Sequence, residues 1–133
     1  SLDFIDRISN VIDFYFGILA LDERLAPFIV NELIMSPSRW DKFRDRFLRS
    51  ESRSSAFVRF EKMVEEEIEA GRIREVMPID LLMNIMSLTV SAFIVAPKGF
   101  ASSECDSNSR KAYLENRRND IKSLIVNGIK CTK

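Results

Sequence analysis

The sequence predicts an all-α fold, a bundle of about six helices forming one domain over residues 1–133. Three observations lead there. Apolar residues recur at three- and four-residue spacing, the period of a helix with one packed face. No strand-like alternation or internal repeat occurs. Ser36-Pro37, Gly71, Pro78 and Pro97-Lys98-Gly99 fall between the periodic segments, where helices start and stop.

Residues 2–21 place Phe4, Ile5, Ile8, Val11, Ile12, Tyr15, Phe16 and Leu19 on one helical face. Phe14, Ile18 and Leu21 add apolar groups on another side, so this helix is expected to be widely buried and able to line a cavity. A shorter helix is expected over 24–34, with Pro27 in its first turn, where the missing N–H has no helical partner to lose. Ser36-Pro37 reads as an N-cap and first helical residue, launching Trp40, Phe43, Phe47 and Leu48 along one face to an end near Arg49. The polar run Ser50–Ser55 is a loop. Phe57, Phe60, Met63, Val64 and Ile68 then mark a fourth helix, which Gly71 ends in the left-handed conformation.

Pro78 opens the fifth helix, with Asp80 near the positive end of its dipole. From Leu81 to Ala96 there is no charge, and apolar side chains lie all round, which in a soluble protein means burial on nearly every side. Asn84, Ser87, Thr89 and Ser91 interrupt the stretch, which is read as a core helix rather than a membrane span. Residues 97–108 have loop composition. The last helix, from near Ser109 to Lys130, carries a stripe of Leu114, Ile121, Leu124, Ile125 and Ile129 that must pack on another element or another chain.

Composition narrows the chemistry. With 46% hydrophobic and 30% charged residues the chain belongs with soluble globular proteins. Lys+Arg and Asp+Glu are both 20, so nothing draws the whole chain to phosphate backbones or anionic membranes. There is no histidine, which removes Ser-His and Cys-His nucleophiles and every histidine-ligated metal site. No catalytic residue, metal site or cofactor is expected, and the chain is not read as an enzyme. Glu65, Glu66, Glu67 and Glu69 lack the Glu-x-x-His partner of helical di-iron sites and read as a solvated face. Arg39, Lys42, Arg44, Arg46, Arg49 and Arg53 alternate with Asp41, Asp45 and Glu51. That pattern suits either a charged surface helix or a docking face for a neighbouring domain. Cys105 and Cys131 form no CxxC pair, as a reducing cytoplasm would tolerate. The chain opens on Ser1 rather than Met and reads as cut from something longer.

Two features point to binding. Phe14, Tyr15, Ile18, Phe28, Trp40, Phe57, Phe60, Met63, Met86, Thr89 and Phe93 are the pocket candidates, because they are spread over helices that already have a second apolar face to bury. Asn84, Ser87 and Ser91 share one face of the fifth helix. Small side chains there suit two roles: close approach of another helix, or polar groups that orient a ligand in an apolar pocket.

The phrases APFIVNEL at 26–33, FVRFEKMVEEEIEAGRIREVMPIDLL at 57–82 and IKSLIVNGI at 121–129 resemble the C-terminal effector-binding and dimerisation domain of TetR/AcrR bacterial transcriptional regulators. The most specific part is the helix ending Glu69-Ala70-Gly71-Arg72-Ile73-Arg74, followed by Pro78, Asp80 and a long buried helix. The resemblance implies that the last two helices pair with their symmetry mates in a dimeric four-helix bundle, with Asn84, Ser87, Ser91, Leu114, Ile121, Leu124, Ile125 and Gly128 at the interface. It implies that the first, second, fourth and fifth helices enclose a pocket for a small, mostly apolar effector, and that the third touches a DNA-binding head. The partners expected are thus a second copy, the effector, and DNA through an N-terminal helix-turn-helix domain absent from this chain. A self-standing all-α dimeric ligand-binding module with no DNA role is the rival reading.

Overall fold

The structure is a computed structural model and describes residues 3–48, 55–99 and 107–131. It is all-helical: α1 (Phe4–Ala20), α2 (Leu25–Phe28) running on as a π-helical segment (Ile29–Ile34), α3 (Pro37–Leu48), α4 (Ser55–Glu69), α5 (Pro78–Gly99) and α6 (Ser107–Ile129). No strand occurs among the described residues. The end expected near Arg49, residues 50–54 of the expected 50–55 loop, Cys105 and residues 100–106 of the expected 97–108 loop lie outside them.

The core is a three-helix stack. On α1, Phe4, Ile8, Ile12, Phe16 and Leu19 recur at helical spacing and are all buried. They meet Leu81, Ile85 and Phe93 of α5 and Ile121, Ile125 and Ile129 of α6, with Val64 of α4 in the same cluster. The Phe16 and Phe93 rings lie 5.3 Å apart in a tilted pair. Ile8, Ile12, Ile85 and Ile121 are wholly inaccessible, and each such side chain contributes roughly 1.5–3 kcal/mol relative to exposure. Ion pairs border this stack. Asp13 meets Lys122 Nζ at 2.7 Å and the Arg118 guanidinium at 3.6 Å, and Glu23 meets Arg110. The order of these pairs sets α6 antiparallel to α1.

The α4–α5 connection shows how local chemistry fixes the geometry. Gly71 has φ +74°, in the left-handed region. The Arg72 N–H donates to Glu67 O at 3.1 Å and the Gly71 N–H to Ile68 O at 3.0 Å, the paired bonds of a Schellman cap. Arg72 also grips the Glu67 carboxylate with two bonds, at 2.7 and 2.8 Å, which holds that carboxyl below its ordinary value of 4.5. Beyond the cap, Ile73 bridges Lys130, and the Arg74 N–H donates to Ile129 O at 2.9 Å. The Arg74 side chain donates to Gly128 O. Two carbonyls at the end of α6, which the helix itself leaves without partners, are thereby satisfied. The contact seats the end of α6 beside the start of α5.

Three sequence expectations need correction. α5 continues through Pro97 to Gly99 rather than stopping at the proline, because a proline in the last turn removes only one helical hydrogen bond. The second helix is not regular: after Phe28 it widens to i→i+5 bonding, closed by the Met35 N–H on Val30 O at 2.8 Å. Burial of α5 is one-sided. Leu81, Leu82, Ile85, Thr89, Val90, Ala92, Phe93 and Ala96 are covered, but Asn84, Ser87, Ser91 and Val95 face outward. The stretch Pro78–Ala96 is also long and apolar enough to cross a membrane, with 44% of its apolar window packed inside the fold.

Candidate functional site

An apolar cleft of about 290 Å³ opens between the π-helical segment, α3 and α5. Ile29, Val30, Leu33 and Ile34 form one wall, and Trp40 and Phe43 of α3 a second. Met83, Met86, Ser87, Val90, Ser91, Ile94 and Val95 of α5 form the floor. Local structure explains the walls. Ser36-Pro37 starts α3 where expected, with the Trp40 N–H on Ser36 O at 2.9 Å. Trp40 and Phe43, three residues apart, then lie on one face with their rings stacked at 5.9 Å and 28°. Arg39 reaches back to Glu32 and ties α3 to the π-helical segment. The wider turn of that segment turns all four of its branched apolar residues toward the cleft while Asn31 and Glu32 stay exposed. Insertions of π-helix cluster at functional sites in proteins generally.

A second groove, of about 430 Å³, runs along α5 and α6 between Arg74, Asn84, Ser87, Leu88, Leu124 and Gly128. Ser87 borders both hollows, so the uncovered strip of α5 joins them.

Of the pocket residues expected from sequence, the structure brings Trp40 and Met86 together in the cleft. Phe14 and Phe28 stand on the surface at 63% and 61% exposure. Phe57 and Phe93 are buried in the interior. Tyr15, Phe60 and Met63 are half-buried against the core, and burial raises the Tyr15 pKa. Ile18 is half-buried on α1. Thr89 is buried and its hydroxyl donates to Ile85 O at 2.6 Å, so that hydrogen bond is made within the helix. The walls of the cleft therefore differ from the expectation: α3 forms one, and α1 and α4 form none. Sequence reading missed Ile29, Val30, Leu33 and Ile34. Five branched apolar residues, Leu25 with these four, in the ten positions 25–34, where only Asn31 and Glu32 are polar, were the available signal.

Among the expected interface residues, Asn84, Ser87, Ser91, Leu124 and Gly128 are exposed and line the open faces of α5 and α6. Leu114 is half-buried against the core. Ile121 is turned away from that face, and Ile125 lines the base of the groove but is almost wholly buried. With Ile129 these two isoleucines recur at four-residue spacing and pack into the chain's own core, while Leu124 and Gly128 lie about 100° round the helix from Ile125 and Ile129.

The charged features fall at the surface. Glu65, Glu66 and Glu69 are exposed, and Glu67 is committed to Arg72. On α3, Arg39, Asp41, Lys42 and Asp45 are exposed. Arg49 and Arg53 lie outside the described residues. No protein-family model, curated protein or solved structure matches the chain.

Proposed function

We propose that this chain is the effector-binding and dimerisation part of a TetR-like transcriptional repressor, cytoplasmic, whose DNA affinity is set by a small, mostly apolar ligand. The observation that carries the reading is the apolar cleft beside an uncovered helix strip. A hollow walled by Trp40, Phe43 and the π-helical segment shares Ser87 with the groove where Leu124 stands 57% exposed. A ligand in the first hollow would bear directly on the helix that a second copy covers. The DNA-binding role rests on the sequence resemblance alone, whose most specific part is the stretch from Glu69 to Asp80. A tenfold shift in operator occupancy requires about 1.4 kcal/mol of coupling between effector and DNA, within reach of differential binding alone.

Two measurements test this. The coding region upstream of Ser1 is expected to encode a short three-helix segment rich in Lys and Arg. A start codon directly before Ser1 would sink the DNA-binding role and leave a dimeric ligand-binding module. Sedimentation of the chain at micromolar concentration is expected to give a dimer, and Leu124→Asp a monomer with unchanged helical circular dichroism. A parent chain that sediments as a monomer defeats the dimer.

A further inference from the structure

The chemistry of the cleft lining narrows its occupant, on the reading that the cleft is an effector site. None of the described residues that line it is charged. An ionised ligand there would lose water without gaining an opposite charge, a cost that selects strongly for neutral molecules. The Trp40–Phe43 pair offers a flat aromatic surface on the α3 side. Met83 and Met86 supply polarisable thioethers on the α5 side, partners that favour aromatic rings. Besides the Trp40 indole N–H, the polar side chains among the lining residues are Ser87 and Ser91, both exposed and one helical turn apart. The Ser91 hydroxyl makes only a long 3.4 Å bond to Leu88 O, which leaves it able to turn toward a ligand. Size sets the scale: an apolar cavity of about 150 Å³ holds benzene, so 290 Å³ suits two fused rings.

We infer that the cleft binds an uncharged, planar, two-ring aromatic molecule bearing one hydrogen-bonding group. The rings lie between the α3 aromatics and the α5 methionines, and the polar group meets Ser87 and Ser91.

Three probes with one ring system test it: 2-naphthol, naphthalene and 2-naphthoate, titrated by calorimetry into the full chain at neutral pH. Trp40 is the single tryptophan, so its indole N–H resonance reports whether a probe enters the cleft. The expected result is that 2-naphthol binds and moves that resonance, naphthalene binds about fivefold more weakly, and 2-naphthoate at least about tenfold more weakly. The Ser87→Ala/Ser91→Ala chain, altered only at exposed positions, is expected to hold naphthalene as before and to lose the preference for naphthol. If the carboxylate binds as well as the alcohol, the neutral class is wrong while the effector cleft stands. If the naphthol preference survives in the double variant, the serines do not receive the polar group. If none of the three moves the Trp40 resonance, the aromatic class is overturned. A panel of aliphatic alcohols of similar volume then separates that failure from failure of the cleft: binding by any of them keeps the effector reading, and none binding removes it.

Discussion

The α1–α5–α6 stack and the arm made of α2, the π-helical segment and α3 have similar apolar residues and opposite fates. In the stack, three long helices close on one another and leave Ile8, Ile12, Ile85 and Ile121 without measurable exposure. In the arm, Ala26 alone is buried among the residues of 25–48 whose side chains are described. Phe28, Ile34, Met35 and Phe43 are all exposed by a third or more. The difference lies in length and coverage. A four-residue helix with a π-helical extension cannot present enough surface to bury both of its apolar sides, so one side is left facing a cleft. The stack holds the fold, and the arm borders the open cleft.

The comparison breaks most readily at its centre. Ile121→Ala is expected to lower the unfolding free energy by about 3 kcal/mol, the cost of an unfilled core position, whereas Ile34→Ala on the arm, 46% exposed, should cost under about 1 kcal/mol. Urea unfolding of the two variants side by side reads the contrast. Equal losses would mean that the arm is as much part of the core as α6.

A smaller effect tests how the stack is held in register. Gly71→Ala meets no neighbouring atom within 4 Å, so its cost is conformational alone. A loss of about 1 kcal/mol is expected from the left-handed backbone, measured by the same unfolding curve. No loss would show that the connection relaxes without moving α6.

The smallest effect is electrostatic. Because Arg72 lowers the Glu67 pKa in the folded chain, the pair stabilises above the ordinary carboxylate value and loses that contribution as pH falls through the lowered one. Thermal melts of the parent and Glu67→Gln should therefore differ slightly at neutral pH and converge in acid. A gap that widens in acid would reverse the sign. Arg72 is exposed while Glu67 is largely covered, so added salt is expected to shrink the difference only in part.

The amino-acid sequence by itself determined where α3 and α5 begin and where α4 ends. Pro37, Gly71 and Pro78 act within a turn of their own position, through a fixed φ, a missing N–H or a left-handed backbone, and need no distant partner. Helical spacing likewise announced the buried face of α1 from Phe4 to Leu19. Only the tertiary structure decided which further faces are covered. Phe14 and Phe16 are the same residue type two positions apart, yet one is exposed and the other packs on Phe93. Ile121 and Leu124 belong to one apolar stripe, yet one turns into the core and the other outward. An apolar side chain specifies that it gains by leaving water, not which neighbour removes it. The cleft depends on where three helices stop short of one another, and its walls come from segments up to 66 positions apart, Ile29 to Val95. No local signal encodes that gap, because it is set by the lengths and docking of all the elements together.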